Sequence, residues 1–390
     1  MSTAAEELNH SFQFDQPLAP QRTRWEEFWL LFRQNRLAIV GLFIFILFFL
    51  SALVGLIVTS GTDPLFDPAL IRLQEKLRPP LAEPHLDSLQ PEEVPTLGIY
   101  LMGTDDLGRD VFARMLQGAW VSLTVGFVAV GISVLIGIFM GGIAGYFGQH
   151  NIRVEHLLLT SLFVAGIVFI VADFILFGAM LLLLAFAHIF YHRLAKKRTL
   201  YGRRPKWASL MLINTISVDT LIMRIVDIML CFPSFFLILT VVALLPASIY
   251  NIMIVIGLTS WMGTTRFVRA EFLSLREQDF VAAVRALGVS NFRIIFRHIM
   301  PNAIAPVLVS ATIGIASAIL TEAGLSFLGF GVPPPHATWG NILSNGKNFI
   351  FDAAWLTFIP GIAILVVVLS FNLFGEGLRD VLNPKLRERG

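Results

Sequence analysis

Glu277-Gln-Asp-Phe-Val-Ala-Ala-Val-Arg-Ala-Leu-Gly-Val-Ser-Asn-Phe-Arg-Ile-Ile-Phe-Arg-His-Ile-Met-Pro301 is a polar, amphipathic stretch set between long apolar runs. Phe280, Ala283, Val284 and Leu287 fall at i, i+3, i+4 and i+7 and make one apolar stripe on a short helix, with Arg276, Asp279 and Arg285 off it. Gly288 stands where a helix C-terminus favours a left-handed residue, and Ser290 is placed to cap a second helix through its hydroxyl. The reading is a rigid helix-turn-helix elbow that a membrane protein offers to a partner in water. The alternative is an interfacial helix touching lipid headgroups alone.

Outward from the elbow the chain turns apolar: 56% of its 390 residues are hydrophobic and 14% are charged, too apolar a balance for a soluble protein of this length. Several runs approach or exceed the roughly 20 residues that cross a bilayer as helix, which predicts an all-α, polytopic transmembrane bundle and not a barrel. Cys231 is the single cysteine, which excludes an internal disulfide and a cysteine-rich metal site.

Residues 1–36 read as a cytoplasmic tail ending in an interfacial helix, with Trp25, Phe28, Trp29 and Phe32 at helical spacing among arginines. Residues 37–58 are the first span, expected to be retained because no small-residue cleavage site follows. Residues 59–117, rich in proline and acid, are an extracytoplasmic loop. The remainder, 118–390, holds spans at Val121–Tyr146, Ile222–Leu245, Ile252–Thr265, Ala303–Phe330 and Ala354–Phe374, with breaks at Pro233, Pro246, Pro301 and Pro360. It also holds an insertion, 151–217, whose apolar run Leu157–Tyr191 reads as two short spans turning near Asp173, followed by a basic segment from Arg193 to Lys206. Lys and Arg put both termini, that segment and the elbow on the cytoplasmic side.

Four motifs carry a resemblance: Asn35-Arg36-Leu37-Ala38-Ile39-Val40-Gly41; Leu101-Met102-Gly103-Thr104-Asp105-Asp106-Leu107-Gly108-Arg109-Asp110; Phe232-Pro233-Ser234; and Glu322-Ala323-Gly324-Leu325-Ser326-Phe327-Leu328-Gly329. Pro335, Trp339-Gly340-Asn341 and Asn372 to Asp380 continue it. The chain resembles the DppC/OppC-type permeases of ABC importers for dipeptides and oligopeptides, and Ala282, Ala283, Gly288, Ile299 and Pro301 are spaced as in that family's "EAA" coupling loop. Where the family usually has glutamate, this chain has Ala282. The resemblance covers nearly the whole chain except the insertion, and implies the type I importer permease fold with six core spans plus the inserted hairpin. It implies a multi-pass inner-membrane subunit, without an enzyme's catalytic residues, that moves peptides inward. The implied partners are a second homologous permease in a heterodimer, two ATPase subunits coupled through loops such as 274–301, an extracytoplasmic substrate-binding protein and membrane lipid, with no nucleic acid. No Gly-x-x-x-x-Gly-Lys-Ser/Thr phosphate loop is present, so ATP and Mg belong to the partner ATPases and no cofactor or metal is expected on this chain.

Candidate coupling residues are Phe280, Ala282, Ala283, Arg285, Leu287, Gly288 and Pro301. Asp105, Asp106, Arg109 and Asp110 are candidates for meeting the binding protein or shaping the translocation mouth; the alternative is a turn in which Asp105 or Asp106 caps the next helix. Glu322, ionisable within an apolar span, either lines the pathway or makes a helix-packing hydrogen bond. Arg224 and Asp227, at i, i+3, are expected to pair. His188 and His192 have a metal-compatible spacing but read as interfacial side chains, and the basic run suits anionic lipid better than RNA. Two rival functions stand beside peptide import: the same architecture carrying nickel or another small solute, and an ion-coupled transporter relaying protons through Glu322 and Asp173. An intramembrane enzyme would need a Gly-x-Ser-x-Gly or His-Glu-x-x-His motif, and neither occurs.

Overall fold

The computed structural model describes residues 23–148, 151–153 and 214–382, together with positions 159, 162–163, 165–167, 176 and 179–187 between them. The proposed hairpin turn at Asp173, His188, His192 and the basic run from Arg193 to Lys206 lie outside the described residues.

Helix α1 (Arg24–Gln34) begins with a capping box between Thr23 and Glu26 and ends at Asn35. Asn35 serves twice, because its side chain also caps α2 (Arg36–Thr59) by accepting from Ala38 N at 3.1 Å. Its amide donates to Asp380 Oδ2 at 3.2 Å, which ties two distant sequence motifs together. Phe32 is fully buried against Ala38, Phe374 and Val381, so the interfacial helix is also packed onto the C-terminal helix.

Helix α3 (Val111–Phe147) starts several residues before the expected 118–121. Its first turns carry the polar residues Arg114 and Gln117, which point inward and are bonded: Gln117 Oε1 accepts from Ala337 N at 2.6 Å. At 1.5 Å per residue α3 is about 55 Å long, longer than a bilayer's hydrocarbon core, so both of its ends stand in or beyond the headgroup zone.

The segment read as an insertion from the sequence has at its ends an antiparallel ribbon, β1 (Asn151–Arg153) with β2 (Asn214–Ser217), in which Asn151 faces Ser217 and Ile152 faces Ile216. Its two ends therefore leave and rejoin the bundle at one place. Helices α4 (Val218–Leu230) and α5 (Ser234–Leu244) follow, bent by 79° at Cys231-Phe232-Pro233, where proline cannot continue the first helix.

Helix α6 (Ile249–Arg276) lies close along α3. Glycine makes this approach possible: a Cβ on Gly141 would sit 2.6 Å from Thr265 O, and one on Gly145 would sit 2.5 Å from Phe272 Cβ. Two ion pairs fasten α4 to α6, Asp227–Arg266 at 2.6 Å and Asp219–Arg269, whose Nη2–Oδ2 distance is also 2.6 Å. The expected Arg224–Asp227 pair is thus replaced by one across helices, since Arg266 reaches Asp227 from the neighbouring helix.

After α7 (Asp279–Ala286), residues Asn291–Phe327 run as one helix, α8, with a π-helical stretch at Ile294–Ile299. Pro301 does not break it. Met300 N donates to Ile295 O, five residues back, and this wider turn admits the proline directly after it. Pro360 likewise sits inside α10 (Trp355–Leu382), and α9 (Trp339–Gly346) packs between α8 and α10.

Among the described residues, four helices (α2, α3, α8 and α10) are long and apolar enough to cross a membrane, or five if α4 and α5 count as one bent span. The core joins α2, α3, α6, α8, α9 and α10 around Val111, Ile252, Ile319, Trp339 and Phe371.

Candidate functional site

The elbow stands at the C-terminal end of α3. Val281 is fully buried among Ile294, Ile295, Ile299 and Phe272, which anchors α7 to α6 and α8. Arg276 Nη1 donates to Gly145 O at 3.1 Å and to Tyr146 O at 3.4 Å, answering two carbonyls that the end of α3 leaves unpaired. Tyr146 Oη in turn donates to Asn291 Oδ1 at 2.8 Å, and the Arg285 guanidinium lies 6.0 Å from the Tyr146 ring. Three helix ends are thereby fixed to one another.

Gly288 has φ +73°, as the sequence predicts for the turn. Gly288 N donates to Arg285 O at 3.0 Å and Val289 N to Val284 O at 3.3 Å, the paired bonds of a Schellman stop. Ser290 precedes the next helix, but its hydroxyl makes no cap; the helix start is held through its carbonyl, which accepts from Ile294 N.

The apolar stripe faces away from the bundle. Val281 is the buried residue of α7, while Phe280, Ala283 and Leu287 are exposed, Leu287 at 80%, and Val284 is half-buried. Ala282, Arg285, Gly288 and Pro301 are exposed as well. Phe292, 71% exposed, and Phe296 extend this surface, with ring centroids 4.5 Å apart. Sequence reasoning missed these two; the available signal was a pair of phenylalanines at i, i+4 in a helix otherwise carrying Arg293, Arg297 and His298.

At the other end of α3 the Gly103–Asp110 turn is built in the opposite sense. Asp105 is 0% exposed. Its Oδ1 accepts from Leu107 N and Arg109 N, both at 2.9 Å, and its Oδ2 accepts from Arg109 Nε at 2.8 Å and from Arg114 Nη1. Arg114 Nη2 continues to Asn341 Oδ1 at 3.3 Å, joining the turn to α9. Asp110, also buried, is the residue that caps α3, accepting from Phe112 N at 2.8 Å, a role expected of Asp105 or Asp106. Burial pushes the Asp110 carboxyl above its usual range. Asp105 and Asp110 are therefore turned inward, where a soluble partner does not reach them; Asp106 and Arg109 remain partly accessible.

Glu322 is fully buried in α8. It accepts from Ser326 Oγ at 2.7 Å and from Ser122 Oγ of α3 at 3.5 Å, an interhelical clasp.

Residues 208–388 match the family model described as "Binding-protein-dependent transport system inner membrane component", and residues 23–80 match "N-terminal TM domain of oligopeptide transport permease C". The dipeptide transport system permease protein DppC of Alkalihalophilus pseudofirmus is 35% identical over 93% of this chain and 90% of its own length. The chain belongs to this permease family. Two further relatives of the permease are the oligopeptide transport system permease protein OppC of Bacillus subtilis, 30% identical over 93% of this chain and 90% of its own, and DppC of Haemophilus influenzae, 33% identical over 96% and 99%. A permease of this family is a multi-pass inner-membrane subunit that works with ATPase subunits and a substrate-binding protein, and the apolar helices of the bundle fit that place.

Proposed function

We propose that this permease imports dipeptides or oligopeptides as one half of a heterodimer with a second homologous permease, in a complex driven by two ATPases, with its own 274–301 loop docked in a groove of an ATPase subunit. Both termini and the elbow face the cytoplasm in this reading, and the Gly103–Asp110 end faces the binding protein. The single observation that carries the coupling role is the way α7 faces: Phe280, Ala283 and Leu287 of its apolar stripe are exposed, Val284 is half-buried, and Val281 is the buried anchor. An unpaired apolar face on a rigid, polar elbow is the chemistry of a protein contact and not of a solvated loop. The peptide cargo is carried by the names of the relatives together with coverage of nearly the whole chain.

The experiment is affinity purification of the permease in mild detergent with mass spectrometry of what accompanies it. Recovery of a second permease and ATPases that carry phosphate loops, lost when Phe280 and Leu287 are made polar, is the expected result. A lone, stable protein that co-purifies with no ATPase sinks the coupling role assigned to the elbow.

A further inference from the structure

Helix α2 changes neighbours along its length and leaves a gap as it does so. Near its start it is pressed on α10: a Cβ on Gly41 would sit 2.8 Å from Leu373 Cβ, and Phe45 stacks on Phe374 with ring centroids 5.6 Å apart. Near its end it is pressed on α3, where a Cβ on Gly55 would run into Leu116 O. Between these contacts lies a half-open cavity of about 320 Å³, walled by Phe48 and Ser51 of α2, Met115 of α3 and Ile362 and Ala363 of α10, with Trp339 of α9. That volume is in the range of small-molecule sites.

The lining offers nothing to a polar guest. Ser51 and Trp339 hold the only hydroxyl and N–H side-chain groups in it, and both are engaged: Ser51 Oγ donates to Phe48 O at 2.8 Å and Trp339 Nε1 to Met115 O at 3.1 Å. A water needs roughly two to four polar partners to stay in such a place, so water does not fill it. Left empty, its walls forfeit their dispersion contacts. The flanks of the mouth show what lies outside. Every exposed residue of α2 from 37 to 57 and of α10 from 355 to 371 is apolar, so the mouth opens between two faces suited to hydrocarbon. Helix α6, by contrast, exposes Ser260, Gly263 and Arg266. Along α10 the lining runs from 359 to 366, about 10 Å of helix.

We propose that this cavity is a slot for one acyl chain of a membrane phospholipid, entering between α2 and α10 from the leaflet on the Gly103–Asp110 side. An acyl chain is flexible and apolar and asks for no hydrogen bond, which matches a lining whose polar groups are all engaged. It covers Met115 and Trp339 and fills the wedge that α2 opens by crossing from α10 to α3. The lipid thereby takes part in packing α2 against the rest of the bundle.

The test uses the assembled transporter in phosphatidylcholine nanodiscs that include a phosphatidylcholine with a diazirine midway along one acyl chain. After illumination, peptide mass spectrometry locates the adducts. Leu47, on the open face of α2, reports bulk lipid, and Met115, 8% exposed, reports the slot. Adducts are expected on both. Ala363→Phe, which fills the cavity from α10, should abolish those on Met115 and leave those on Leu47; Ala363→Leu makes the same comparison with a smaller side chain if the phenylalanine variant does not fold. Adducts on Leu47 without any on Met115 overturn the slot, and so do adducts on Met115 that survive both substitutions. A Leu47 free of adducts in the assembled transporter overturns it as well, because the second permease and not lipid would then cover this wall.

Discussion

The elbow and the Gly103–Asp110 turn stand at opposite ends of α3, and both are short, charged segments punctuated by a glycine at positive φ. One turns its apolar residues outward and hides a single valine; the other turns its charges inward and spends them on its own backbone and on Arg114. The difference teaches that charge beside a membrane does not by itself mark a contact surface. A carboxylate that accepts three hydrogen bonds within its own turn and a fourth from Arg114 of α3 is structural, whereas leucine and phenylalanine left bare on a polar elbow need a partner to cover them.

The sharpest way to break this contrast is Asp105→Ala. It strips the buried Arg114 of its carboxylate and orphans two backbone N–H groups, so about 3–5 kcal/mol of stability should be lost. Thermal unfolding in detergent and the yield of folded subunit read the loss, and natural behaviour of the variant would show that the turn is not built on Asp105. At the elbow the effect should fall on association. Phe280→Asp with Leu287→Asp removes a largely bare leucine and a partly covered phenylalanine, so the melting temperature should fall only slightly while ATPase capture drops by about 2 kcal/mol or more, roughly thirtyfold. A parallel drop in melting temperature would mean that these residues belong to the core after all.

Gly288→Val should be milder, about 1–2 kcal/mol, because nothing lies within 4 Å of a Cβ there and the strain is purely in the backbone at φ +73°. Transport should fall while membrane insertion persists, and Gly288→Asn, which tolerates the left-handed region, should recover most of it. Equal transport by the valine variant would remove the need for a rigid turn. The smallest effect concerns Asp110. Its raised folded-state pKa means that the native state takes up a proton before the unfolded state as pH falls, so this group adds stability between its raised value and the ordinary carboxylate value. Asp110→Asn keeps the cap and loses the titration. The melting temperature of the natural protein should therefore gain on that of the variant as pH is lowered from 7 towards 4, and parallel curves would refute the buried, burial-shifted carboxyl.

Much of this molecule was legible in one dimension. Apolar run length gave the helical bundle, and the Leu287-Gly288 step gave the left-handed stop. These are local properties, fixed by side-chain periodicity and by the sterics of a single residue. Direction was not legible. The sequence could not say that Val281 and not Phe280 faces the bundle, that Asp227 pairs with Arg266 across helices instead of Arg224 on its own, that α3 begins seven residues before 118, or that Pro301 rides through on a π-helical turn. The sequence by itself determined that the long apolar runs are helix, that the chain turns at Gly288, and to which family it belongs. Tertiary structure decided which charges are buried and which apolar groups are bare, because those depend on what another helix brings within hydrogen-bonding or packing distance, and no spacing along one chain encodes that distance.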